Sequence, residues 1–352
     1  MSDVSKRIEE LEAQRENREK GKYNLIPWYD HFPRLSEYVP GLFKGEMVKI
    51  LAGTGVGKTK FSKYVSLFLP FELYKKYGIK FHTIYFALEE SKDEFIDSLI
   101  IMMLYIKFKI SIDRITLNSY FKDVVSKDIL NKVREVEKYV EEILQHVDSV
   151  DNIHNATGMY KYVRNYTEKV GKHHYKEVQF YDEEKKRTYI QEVYSNYTPY
   201  DEDIFNLVVT DHVSLISPEA GLSQHQSMGR WSSDYCRKQI TKNFNYTVIN
   251  VQQVSMSSDD NEAYKLGRLE PSLSDLGNNK EVARDDMLVL ALYNPWRYEI
   301  KVHNGYDISK YKDKYRSLSV LKNRYGRDSL KVGLYFDGAA GLFKELPKII
   351  NE

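Results

Sequence analysis

Only one cysteine, Cys236, stands in a chain of 352 residues. That count excludes an internal disulfide and a cysteine metal cluster, and it fits a reducing cytosol. Net charge is scarce as well: 52 Lys and Arg face 51 Asp and Glu, a formal +1. No bulk field draws such a chain to nucleic acid, so any contact of that kind must come from a local patch. Long apolar runs are missing too. The longest, residues 99–106, falls far short of the roughly 20 residues that cross a bilayer. The N-terminal stretch MSDVSKRIEELEAQRENREKGK is almost entirely polar and shows no signal peptide. These absences predict a soluble cytoplasmic protein with no membrane partner.

What is present is an alternation of apolar strands and helical patterns. EMVKIL (46–51), KFHTIYFAL (80–88), IFNLVVTD (204–211), YTVINV (246–251), MLVLALY (287–293), SLSVLKN (317–323) and KVGLYF (331–336) read as strands. Runs of this kind separated by helices predict an α/β fold with a mostly parallel sheet covered on both faces. Residues 107–203 interrupt the pattern with helices over 122–147 and 158–171 and a charged hairpin turning at 182–186. The length suits one elaborated domain. Its expected bounds are 25–346, with an insertion at about 107–203 and a tail over 347–352. Residues 1–24 read as a separate N-terminal helix and linker. There Val4, Ile8 and Leu11 form a thin apolar stripe at helical spacing, suited to fraying or to docking on a partner subunit.

The chemistry starts at LAGTGVGKTKF, residues 51–61. The phosphate-loop pattern G-x-x-x-x-G-K-[ST], set between a strand and a helix, falls on Ala52, Gly53, Thr54, Gly55, Val56, Gly57, Lys58 and Thr59. Alanine replaces the first glycine, and Lys60 closes the expected binding set. Glycines let successive backbone N–H groups turn inward onto phosphates, and the helix N-terminus adds partial positive charge. Lys58 can bridge the β- and γ-phosphates, and the Thr59 hydroxyl can ligate Mg²⁺. The loop therefore predicts ATP with Mg²⁺.

Hydrolysis needs two more groups. Asp211 ends the apolar strand of FNLVVTD, where a parallel sheet faces its ligand crevice, and is the metal-orienting candidate. In FALEESKDEF, Ser91 and Glu94 form a capping box that starts a helix near Lys92. Glu89 is left at the end of the preceding strand as the general base for water, with Glu90 as its competitor.

Together these stretches resemble the ATPase domain of DnaB-family replicative helicases. ILAGTGVGKTKF resembles the family's phosphate loop, YFALEES its second-strand motif, LVVTDHVSLI its metal-site strand and VINVQQVS its sensor strand. PSLSDLGNNKEVARDDMLVLALY is similar to its "SDL" segment, and VLKNRYGRDSLKVGLYFDGAAGLFKEL to its closing hairpin. The resemblance implies a RecA-like P-loop NTPase core, catalytic Glu89, metal-site Asp211 and a γ-phosphate-sensing Gln253. It implies that Lys322 and Arg324 reach the ATP of a neighbouring subunit. Alternating on a strand, the two share one face.

The loop after SDL would face single-stranded DNA. Gly277 and Asn278 replace the family's usual Arg-Glu pair, and Lys280 and Arg284 are the nearest cations. The implied activity is ATP-driven unwinding of duplex at replication forks by a hexameric ring moving on single-stranded DNA. A primase or helicase loader would be a further partner. The resemblance further implies a phage-type form, expected to lack the family's N-terminal domain. A RecA-like recombinase filament and an ATP-controlled regulatory or assembly protein that ignores DNA are the alternatives.

Overall fold

The structure is a computed structural model that describes residues 2–19, 24–120, 124–254, 269–275 and 285–349. Nine strands form its central sheet: β1 (Met47–Ala52), β2 (Phe81–Ala87), β3 (Val147–Val150), β4 (Phe205–Asp211), β5 (Thr247–Gln253), β6 (Leu288–Tyr293), β7 (Tyr315–Asn323), β8 (Lys331–Asp337) and β9 (Leu342–Glu345). Their spatial order is β9-β8-β7-β6-β1-β5-β4-β2-β3. From β3 to β6 every pairing is parallel. From β6 to β9 every pairing is antiparallel.

Parallel strands are buried on both faces, and their sequences show why. Every residue of β1, β4 and β6 is buried. The period of two sends neighbours to opposite cores. Leu207 and Val209 join the layer beneath the helices Lys92–Phe108 and Lys127–Leu144. Val208 joins the opposite layer, with Met159, Val163 and Trp231.

The helix that follows the phosphate loop runs through Lys58–Lys63, widens to a π turn at Tyr64–Phe68 and continues as Leu69–Tyr77. Pro70 causes the change, because proline has no N–H to give the carbonyl four residues earlier. That carbonyl belongs to Ser66, and the Thr83 hydroxyl of β2 donates to it instead at 2.8 Å. The next helix starts as expected. Ser91 and Glu94 make a reciprocal capping box ahead of Lys92.

Two features extend what the sequence suggested. β3 lies inside residues 107–203 and pairs in parallel with β2, so this segment supplies an edge strand of the main sheet. The charged hairpin is longer than its predicted core, pairing Gly171–Asp182 with Arg187–Pro199. The N-terminal helix spans Asp3–Glu19. Val4, Ile8 and Leu11 are 68%, 50% and 50% exposed, so its apolar stripe is uncovered in the single chain. No helix among the described residues is long and apolar enough to cross a membrane.

Candidate active site

The phosphate loop leaves the C-terminal end of β1, where Gly55 and Gly57 take φ of 65° and 108°. L side chains rarely adopt those values. At Gly57 a Cβ would also come within 2.9 Å of the Phe336 ring. Gly57 caps the helix that begins at Lys58, so free backbone N–H groups face the loop. Above lies a cavity of about 580 Å³, bordered by Thr54, Gly55, Lys58, Thr59, Lys60 and Glu89 among others. Ala52 and Gly53 are buried at the strand end, and Val56 packs into the core.

Strand order brings the remaining groups to the same end of the sheet. β5 lies next to β1, β4 next to β5, and β2 next to β4. Lys58, almost fully buried, holds its Nζ 3.1 Å from Glu89 Oε2, and the Glu89 side chain is 48% exposed. Glu90 borders the same cavity but has a different partner: its Oε1 pairs with Lys63 Nζ at 2.6 Å. Burial pushes the Glu90 carboxyl up, and Lys63 opposes that shift. Of the two acids, Glu89 is the one that meets the loop lysine.

Asp211 lies beneath, 1% exposed. Tyr85 Oη donates to its Oδ2 at 3.2 Å and shares a 2.8 Å bond with the Ser62 hydroxyl. Its Oδ1 is buried without a protein partner. Burial raises the Asp211 pKa, while the Thr59 hydroxyl and Lys58 pull it back. A buried carboxylate oxygen with unused lone pairs, beside a threonine hydroxyl, suits Mg²⁺, which is held by one or two carboxylates plus phosphate oxygens. The donor set fits that ion.

Gln253, at the end of β5, ties two pieces together. Its Nε2 donates to the Thr54 hydroxyl at 2.7 Å, and its Oε1 lies 3.2 Å from His212 Nε2. Burial lowers the His212 pKa. The neutral ring then donates from Nε2, a tautomer assigned from the bond network.

A sequence profile describing the DnaB-like helicase C-terminal domain matches residues 134–345. That is more than half of the chain. The chain belongs to this family. The matched span holds Asp211, Gln253, Lys322 and Arg324, and the phosphate loop lies upstream of it. No curated protein matches the sequence. Among solved structures, the ATPase domain of G40P shares 18% identity at a TM-score of 0.66, covering 96% of this chain and 98% of that one. A DnaB-like replicative helicase, described with its interactions with primase, shares 17% identity at 0.65, covering 96% of this chain and 68% of the other. At such identities the likeness shows the fold, an α/β RecA-like core, as expected.

In this DnaB-like domain the structure does not bring every expected residue to the cavity. Lys322 pairs with Val289 and Asn323 with Leu288, at the start of β6. The phosphate loop follows Ala52, which pairs with Leu292 at the other end. Six residues of strand, about 20 Å, separate Lys322 from the loop-side end of β7 at Arg316. Lys322 stands instead among the charges of Arg324, Asp286, Asp285 and Lys49. Gly277, Asn278, Lys280 and Arg284 lie outside the described residues.

Two arginines that sequence reading missed do border the loop. Arg316, 1% exposed, donates from Nε to the Val56 carbonyl at 2.6 Å and from Nη1 to the carbonyls of Asp313 and Tyr315. It lies over the Phe336 ring at 4.6 Å, and burial pushes its pKa down to about 10. Arg297, on the turn after β6, donates from Nη1 to the Thr54 carbonyl. Neither had a sequence signal, since Arg316 fell one residue before the strand as read.

Proposed function

We propose that this chain is the ATPase motor of a replicative DNA helicase. ATP lies along residues Ala52 to Lys60, with Lys58 on the β- and γ-phosphates. Glu89 takes a proton from the attacking water. Gln253 senses the γ-phosphate, and its bonds to Thr54 and His212 give that sensing a route into the loop. Thr59 and Asp211 would hold Mg²⁺, which would supply neutralising charge to the phosphate oxygens.

Lys322 and Arg324 act in trans, on the nucleotide of the next subunit of a ring, expected to be hexameric. The observation that carries this reading is the split within one sheet. Lys58, Glu89, Asp211 and Gln253 gather at one end of it, and the basic pair stands at the other. A finger supplied by a neighbour makes hydrolysis depend on assembly and adds about 10³–10⁵ in rate.

The segment around Gly277, Asn278, Lys280 and Arg284 tracks the backbone of single-stranded DNA, with the salt sensitivity such contacts carry. Replication forks are the substrate, and a cytoplasmic primase or loader a candidate partner. The test measures ATPase with and without single-stranded DNA, then forked-duplex unwinding against strand exchange. DNA-stimulated hydrolysis with unwinding supports the reading. Strand exchange without unwinding indicates a recombinase, and indifference to DNA a regulatory protein; either result rejects it.

A further inference from the structure

A phosphate loop works only if its N–H groups face the ligand. In a trans peptide the C=O and the following N–H point in opposite directions. Fixing a carbonyl on the outer side of the loop therefore fixes the next N–H on the inner side. Arg297 takes the Thr54 carbonyl, whose peptide carries the Gly55 N–H. Arg316 takes the Val56 carbonyl, whose peptide carries the Gly57 N–H. Both arginines come from the β6–β7 connection and the start of β7, outside the phosphate-loop motif.

The clamp is rigid on one side. Arg316 is held by the Asp313 and Tyr315 carbonyls and by the Phe336 ring, which itself fills the space a side chain at Gly57 would need. Its nearest carboxylate, Asp313, stands 3.6 Å away and is 66% exposed. A buried guanidinium so weakly paired leaves positive potential beside the loop, on a wall of the same cavity. On the other side Arg297 is exposed, yet a Cβ at Gly55 would meet its Nη2 at 2.5 Å.

We propose that Arg316 and Arg297 are positioning residues that hold the phosphate loop from its carbonyl side. They present the Gly55 and Gly57 N–H groups to a nucleoside di- or triphosphate. The inference rests on the phosphate-loop reading and is independent of unwinding. Because the clamp shapes the loop before chemistry, it strengthens ground state and transition state alike. Its loss raises KM and leaves kcat near its original value.

The test titrates fluorescent ATP and ADP analogues with Mg²⁺ against the full chain. The variants are Arg316→Met, Arg316→Lys, Arg297→Gln and, as a control, Lys58→Ala. Loss of a charged hydrogen bond predicts about 10- to 100-fold weaker binding of both nucleotides for Arg316→Met, and about 3- to 10-fold for the exposed Arg297→Gln. Arg316→Lys falls between wild type and Arg316→Met, since a point-like ammonium keeps the charge but cannot span the three carbonyls that the guanidinium fork reaches. Amide exchange at residues 53–58 should quicken in Arg297→Gln while β4 and β6 keep their protection.

Should Arg316→Met fail to fold, Arg316→Lys and Arg297→Gln decide the matter. Both at wild-type affinity overturns the clamp, and so does a loss of kcat at unchanged affinity. Wild type that binds neither nucleotide sinks the phosphate-loop reading instead.

Discussion

Replacing Glu89 by glutamine should separate two effects of one carboxylate. Glu89 Oε2 lies 3.1 Å from Lys58 Nζ, so it competes with a triphosphate for the lysine. Opposite unit charges at 4 Å attract by about 4 kcal/mol at an effective dielectric of 20. Glu89 is 48% exposed, and solvent screening reduces that to about 1 kcal/mol or less. Glutamine keeps the shape and removes the charge, so Mg-ATP binding should tighten about two- to fivefold. Hydrolysis should fall by about 10²–10⁴ because the water loses its base. Titration of a fluorescent ATP analogue reads the first effect, and single-turnover hydrolysis at saturating ATP reads the second. Wild-type hydrolysis in Glu89→Gln with a large loss in Glu90→Gln would refute the assignment. Glu90, held 2.6 Å from Lys63, is expected to affect stability rather than the chemical step.

Arg324→Ala should lower hydrolysis by about 10³–10⁵ without weakening nucleotide binding, and mixing with Lys58→Ala subunits should restore part of the rate. Unchanged hydrolysis in Arg324→Ala removes the trans role. Deleting residues 1–20 should abolish hexamers and leave a folded monomer, read by size exclusion with light scattering; persistent hexamers reject docking through Val4, Ile8 and Leu11. Glu46, 1% exposed, has its carboxyl pushed by burial up to about 8, against the opposing Phe43 N–H bond. The folded chain then keeps a proton that the unfolded chain releases. The stability this brings is full below the ordinary glutamate pKa of 4.5 and is lost as pH rises through about 8. Glu46→Gln should flatten that decline, worth roughly 3–5 kcal/mol. Melting temperatures at about pH 5 and about pH 8.5 check it, and equal slopes in both proteins contradict it.

The parts of the site that the sequence revealed are those whose chemistry constrains neighbouring residues. Gly55 and Gly57 need positive φ, Ser91 and Glu94 cap across three residues, and Asp211 ends an all-buried strand. Each fits inside one short window. What stayed hidden depends on register between distant strands. His212 and Gln253 meet because β4 and β5 pair Asp211 with Val251. Arg316 reaches Val56 only because β7 lies antiparallel to β6 and β6 parallel to β1. Val147–Val150 is too short and too polar to announce a strand, and its pairing with β2 makes it one. Lys58 and Glu89 were legible as two motifs with Glu90 as competitor, whereas the pairing of Glu89 with Lys58 and of Glu90 with Lys63 depends on the fold.

Two arginines beside the loop raise the question of whether this chain needs a neighbour's arginine at all. Their geometry answers it. Arg297 Nη1 and Arg316 Nε are taken up by the Thr54 and Val56 carbonyls, although Arg316 also borders the cavity. Turning either toward a γ-phosphate would release the peptide that aims Gly55 or Gly57 inward. A cis arginine can therefore secure binding without stabilising the charge that develops in transfer, and the proposed neighbour has to supply the latter. Binding and hydrolysis should then part company on dilution. Nucleotide affinity per chain should stay constant below the concentration at which rings dissociate, while turnover per chain falls. Light scattering, analogue titration and phosphate release over one dilution series measure all three quantities. A nucleotide-loaded monomer that hydrolyses at the full rate would show that the cis residues suffice.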